Sequence, residues 1–282
     1  MLPQSERFLK KGKKMNSRIE KVFKDLRKKG HSALIPFVTA GDPDIESTRR
    51  LVIEMAHRGA DIIELGLAFS DPLADGPTIQ AASFRALKAG MNPELFFELV
   101  KKIRKKTDVP LVLMGYYNPV LKYGLEDFAK DAREAGIDGT IIPDLPLEEA
   151  DEWIKIAKKH GLDNILLVAP NTPDSRIKRI VKASKGFIYY VSVLGITGAR
   201  TKLPKELSQG LKKVKELTRK PVAVGFGISR AEQVKSLSKV ADGIIVGSAI
   251  VKMFEQELKQ GLDLAVERVG SFVEELKEAT KT

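Results

Sequence analysis

Eight short apolar runs, spaced at a near-regular interval, constrain the fold of this 282-residue chain more than any other feature. They are Ala33–Val38, Asp61–Leu67, Pro110–Tyr116, Gly139–Asp144, Asn164–Ala169, Phe187–Val193, Pro221–Gly227 and Asp242–Gly247. Each is too short for a helix, and little polar alternation interrupts them. That combination marks strands covered on both faces, as in a parallel sheet. Between them lie stretches of helical periodicity. Residues 94–106 place Leu95, Phe96, Leu99, Val100 and Ile103 on one stripe with lysines facing out, and residues 147–160 and 204–218 repeat the pattern. The joints repeat as well: HRGADIIEL, EAGIDGTII and KHGLDNILL each read as helix, terminating glycine, a short step to aspartate, then strand. Gly59, Gly136 and Gly161 are the expected left-handed caps. Strand starts fall about thirty residues apart, one strand–helix unit each. Eight such units predict an α/β chain with a single (β/α)8 TIM barrel and an N-terminal basic helical extension. No Pro/Gly/Ser-rich linker divides the chain. The expected organisation is a basic extension over 1–16, with Met15 an alternative start, and a barrel over 17–282.

Charge and cysteine content narrow the chemistry. The net charge is +11, yet the first thirty residues carry eleven Lys/Arg against Glu6, Glu20 and Asp25, so most of the excess is local to the N-terminal arm. A solvated helix and its leader account for it, and no aromatic interleaving or motif points to nucleic acid. The start has no apolar signal core, and no apolar run approaches a membrane span, so a cytoplasmic protein is expected. With no cysteine and three scattered histidines, thiol catalysis and a cysteine-held metal are excluded and no metal site is expected. Carboxylates, hydroxyls, lysines and the backbone remain.

In a barrel the working groups sit at the C-terminal ends of the strands. The second run presents Glu64, a carboxylate inside an apolar strand, whose burial is expected to raise its pKa and suit it to proton transfer. The second and third runs start about fifty residues apart, and the excess begins with a loop, Phe69-Ser-Asp-Pro-Leu-Ala-Asp-Gly-Pro-Thr-Ile-Gln80. Of its two aspartates, Asp75 lies deeper and is the better second carboxylate. Strands seven and eight end in Gly225-Phe-Gly-Ile-Ser229 and Val246-Gly-Ser-Ala-Ile250, turns whose backbone N–H groups and Ser248 hydroxyl suit a phosphate. Residues 194–204, including Gly198, have the composition of a lid.

The strings IELG, FSDPLADGPTIQ, LMGYYNP, PDLP, GITGAR, VGFGIS and VGSAIV, taken together, resemble the α subunit of tryptophan synthase from about residue 17 onward. The resemblance implies a carbon–carbon lyase that cleaves indole-3-glycerol phosphate to indole and glyceraldehyde 3-phosphate by a retro-aldol reaction in L-tryptophan biosynthesis. It places the catalytic carboxylates at Glu64 and Asp75. Phe37, Met114, Tyr116, Tyr189 and Thr197 become substrate contacts, and Gly198, Phe226, Gly227, Gly247 and Ser248 phosphate contacts. It also implies a pyridoxal-phosphate β subunit as partner in an α2β2 heterotetramer, with no cofactor on this chain. Ala68 departs from the family, which usually has proline there, so the start of the loop is expected to be less constrained. Alternatives left open are a stand-alone indole-releasing lyase and another phosphate-binding barrel, an isomerase or epimerase.

Overall fold

The computed structural model describes residues 17–191, 205–225 and 227–281. Thr197, Gly198, Phe226 and the 1–16 arm lie outside the described residues. Eight strands follow the apolar runs: β1 (Ala33–Thr39), β2 (Ile63–Gly66), β3 (Leu111–Met114), β4 (Gly139–Ile141), β5 (Asp163–Val168), β6 (Ile188–Val191), β7 (Val222–Gly225) and β8 (Gly243–Val246). Each pairs in parallel with the next, and β8 pairs with β1 to close the barrel. Except at β1 and β5, the strands are shorter than the runs because the run ends leave the ladder. Pro110 has no N–H to donate, and Tyr116 already precedes a helix.

Side-chain parity explains why the runs are apolar throughout. Leu34, Val38, Ile63, Leu65, Leu111, Leu113, Ile188 and Val224 face outward into the core shared with the helices. Their alternates Ala33, Ile35, Ile62, Val112, Ile141, Ile165, Tyr189, Ala223 and Ile245 fill the barrel interior.

Eight helices cover the strands: α2 (Ile45–His57), α4 (Pro93–Arg104), α6 (Leu125–Ala135), α7 (Asp151–Lys159), α8 (Asp174–Ala183), α9 (Lys205–Leu217), α10 (Ala231–Leu237) and α12 (Leu262–Glu278). Four more were not individually foreseen or were read differently: α1 (Arg18–Lys29), α3 (Pro77–Lys88), α5 (Tyr117–Tyr123) and α11 (Ser248–Glu257). The expected loop through Gln80 therefore ends at Gly76. Pro77 opens α3, where a missing N–H costs nothing. Helix α1 is solvated on its basic face only. Ile19, Phe23 and Leu26 enter the barrel-interior core, and Phe23 packs on Phe187 with ring centroids 5.6 Å apart, so α1 plugs the N-terminal end. Gly59, Gly136 and Gly161 all take positive φ, as their joints require. Among the described residues no helix is long and apolar enough to cross a membrane.

Candidate active site

The plug closes one end of the barrel and leaves the strand C-termini open to a cavity of about 680 Å³. Its floor is the top of the inward parity: Phe37 from β1, Glu64 from β2, Met114 from β3, Leu167 from β5, Tyr189 and Val191 from β6, Gly225 from β7 and Ile245 from β8. Phe37 and Glu64 are direct register partners across β1 and β2. Gly66 is small for a reason: a Cβ there would stand 2.6 Å from the Phe37 ring. At Gly225 a Cβ would stand 2.5 Å from the Tyr189 hydroxyl, so this glycine makes room for the tyrosine.

Glu64 is fully buried, and neither carboxylate oxygen has a hydrogen-bond partner among the described residues. Removing a carboxylate from water without compensation favours its neutral form, and burial pushes Glu64 up to about 8. It is therefore an uncharged acid at neutral pH. Asp75 lines the same cavity from the loop before α3. It is half-buried, and burial raises its carboxyl while the Tyr116 hydroxyl beside it opposes the rise. Tyr189 keeps its proton well above the usual phenol range, chiefly because it is buried and then because Glu64 and Asp75 lie near it. The cavity thus holds two carboxylates in unlike surroundings, one sealed and unpartnered, one half-buried at the edge beside Tyr116.

Across the mouth, Gly227, Gly247 and Ser248 line the cavity. Gly247 is the N-cap of α11, no side chain caps that end, and no acidic residue occupies its first turn. Unpaired N–H groups and the positive end of the helix dipole therefore face the cavity, a favourable setting for an anion. Among the described lining residues there is no lysine or arginine. No cluster of three or more potential metal ligands occurs among the described residues.

Of the twelve site residues expected from sequence, Phe37, Glu64, Asp75, Met114, Tyr189, Gly227, Gly247 and Ser248 line this one cavity. Tyr116 lies immediately beside it, lining a small side pocket that shares Phe37, Asp75 and Met114. Thr197, Gly198 and Phe226 lie outside the described residues. Sequence reasoning missed Leu167, Val191, Ile245, Ile79 and Pro143 as cavity walls. Inward parity at the strand ends would have found the first three.

Comparison with known proteins gives a single answer. A family model described as "Tryptophan synthase alpha chain" matches residues 23–281. The tryptophan synthase alpha chain of Geotalea uraniireducens is 49% identical over 265 residues, covering 94% of this chain and 98% of that protein. The alpha chain of Methanocaldococcus jannaschii is 48% identical over 247 residues, covering 87% and 88%. Among solved structures, tryptophan synthase subunit alpha from Legionella pneumophila superposes with a TM-score of 0.88 at 36% identity, covering 94% of this chain and 99% of that one.

Proposed function

This chain belongs to the tryptophan synthase alpha chain family, and on that premise we propose that Glu64 and Asp75 carry its reaction. The chain is a lyase of tryptophan biosynthesis that performs the alpha reaction, cleavage of indole-3-glycerol phosphate to indole and glyceraldehyde 3-phosphate. The observation that carries the residue assignment is the pairing, in one cavity, of a sealed neutral carboxyl with a half-buried one at its edge.

A retro-aldol cleavage needs a proton delivered to indole C3 and a proton removed from the glycerol hydroxyl next to the breaking bond. The hydroxyl's electrons become the aldehyde carbonyl, and the carbon–carbon pair is taken up by the protonated ring. Glu64, neutral at pH 7, supplies the C3 proton and, once ionised, accepts the hydroxyl proton. Protonation at C3 leaves positive charge on the ring nitrogen. Asp75 accepts from the ring N–H and stabilises that charge, which requires its ionised form. Phe37 and Met114 are the apolar walls for the indole, with Tyr189 beside Glu64. The phosphate takes the N-terminus of α11 with Gly227, Gly247 and Ser248, and Gly198, Phe226 and Thr197 are proposed to complete the closed site. Backbone N–H groups suit this end of the substrate, since they bind an anion without adding a titrating group beside Glu64.

The β subunit, carrying pyridoxal phosphate, is the proposed partner that consumes the indole, in an α2β2 assembly. Incubating the chain with indole-3-glycerol phosphate and quantifying both products tests the reading. Equal amounts of indole and glyceraldehyde 3-phosphate are expected, with Asp75→Asn losing about a hundredfold or more in rate. Full activity in Asp75→Asn would remove Asp75 from the mechanism, and isomerised substrate without cleavage would favour an isomerase.

A further inference from the structure

The loop that carries Asp75 has almost nothing holding it to the barrel. Its base is pinned where Leu67 N–H donates to the Met114 carbonyl at 2.8 Å. Beyond that it bonds mainly to itself: Leu73 N–H to the Asp71 carbonyl at 2.9 Å and Asp75 N–H to the Pro72 carbonyl at 3.0 Å. Ser70, Asp71, Leu73 and Ala74 are exposed. One side chain reaches in from outside. Tyr116, just past β3 and 6% exposed, stacks its ring on Phe69 at 5.4 Å, and its hydroxyl accepts the Ala74 N–H at 3.0 Å. The same hydroxyl lies close enough to the Asp75 carboxylate to oppose the rise in its pKa. Among the described residues, no other hydrogen bond ties positions 68–76 to anything beyond the loop and the helix that follows it.

We propose that Tyr116 is a positioning residue, a latch through which β3 fixes both ends of the catalytic loop and aims Asp75 at the substrate. A hydroxyl has one proton and two lone pairs, so it can accept from Ala74 and donate to Asp75 at once. The ring covers the loop's start at Phe69, and the oxygen sets its end. A tyrosine that only lined the cavity would need the ring alone, and phenylalanine would serve as well. Donation to Asp75 also favours the ionised carboxylate that the reaction requires of it. The latch deepens the role proposed above for Asp75 and rests on it for its catalytic consequence.

Tyr116→Phe keeps the ring and removes the hydroxyl. In hydrogen–deuterium exchange on the free chain, the segment containing Ala74 is expected to exchange about five- to tenfold faster. In steady-state cleavage of indole-3-glycerol phosphate, kcat is expected to fall about tenfold with KM within about twofold. The acid limb of the pH–rate profile is expected to move to higher pH as Asp75 loses its donor. Phe69→Leu leaves the hydroxyl in place, so it should raise exchange at the loop's start and leave the acid limb where it is. Unchanged exchange in Tyr116→Phe, or a loss confined to KM, would reduce Tyr116 to a wall and overturn the latch. An equal limb shift in both variants would assign the effect to general loosening and overturn the hydroxyl's part. Exchange is read without substrate, so faster exchange with an unmoved acid limb would uphold the latch and fault the assignment of Asp75.

Discussion

Glu64 is a destabilising residue that the chain retains. Its folded value near 8 exceeds that of an exposed glutamate because burial penalises the anion. Between the ordinary carboxylate range and about pH 8 the native state therefore holds a proton that the unfolded state has released. Stability contributed by the neutral acid is present at low pH and is lost as pH rises through the folded value. Glu64→Gln cannot ionise, so its melting temperature should match that of the parent chain near pH 5 and exceed it near pH 9. Equal melting temperatures at both pH values would contradict the burial of an unpartnered carboxyl. On the roles proposed for them, the same two carboxylates should shape the rate profile of the free enzyme. Measured as kcat/KM, indole release should rise with pH through Asp75, at a pH above the ordinary aspartate value, and decline above about 8 as Glu64 ionises. Both residues were legible in the sequence as candidates that the fold brings into one cavity, Glu64 because a charge interrupts an apolar run and Asp75 because it sits in the longest insertion. Tyr116 was legible only as a cavity residue. Its hydroxyl contact with the loop depends on backbone geometry that no spacing rule specifies.

At the scale of elements, two of the three Gly-to-Asp joints, at Asp61 and Asp138, and the glycine-less joint at Asp242 form a structural device at the plugged end. Asp163 of the third joint pairs with Ser17 and Lys185 instead. The Asp61 carboxylate accepts the Leu34 N–H of β1 at 2.7 Å, Asp138 the Leu111 N–H of β3 at 3.0 Å, and Asp242 the Val222 N–H of β7 at 2.9 Å. Each also pairs with a cation: Asp61 with Lys277 and Asp138 with Arg104, at 2.7 and 2.6 Å, and Asp242 with Lys215 at 3.2 Å. One aspartate thus satisfies the free N–H at the start of a neighbouring strand and ties a helix to the sheet. Asp138 is the most enclosed of the three, and Arg104 also donates to the Gly136 carbonyl at 2.8 Å. Asp138→Ala takes the carboxylate from that guanidinium, leaving it only carbonyl acceptors, and should cost about 3 kcal/mol in denaturant unfolding. A loss below about 1 kcal/mol would show the joint to be incidental. The plug makes a similar demand: Phe23→Ala should cost about 3–5 kcal/mol while leaving the opposite end of the barrel intact. The eight strands could be read from sequence because burial on both faces leaves a continuous apolar signature. The roles of α1, α3 and α11 could not, since one helix per strand already satisfies the pattern and an apolar stripe does not say which surface it covers.

For the molecule as a whole, stability and chemistry occupy opposite ends of the barrel. Helix α1 and the aspartate joints close the N-terminal end, and the cavity, the loop that carries Asp75 and α11 occupy the other. Leu73, 93% exposed on that loop, lies at the end where the proposed β subunit would receive indole. Adding that subunit should raise the rate of indole release, and an unchanged rate with no association on gel filtration would leave the chain a stand-alone lyase. The most direct test of the central assignment is a single-turnover reaction of Glu64→Gln with indole-3-glycerol phosphate. Substrate should bind with an affinity close to that of the parent chain, while indole forms about a hundred- to ten-thousand-fold more slowly. Indole released at the parent rate would show that the proton moves by another route and that Glu64 is not its carrier.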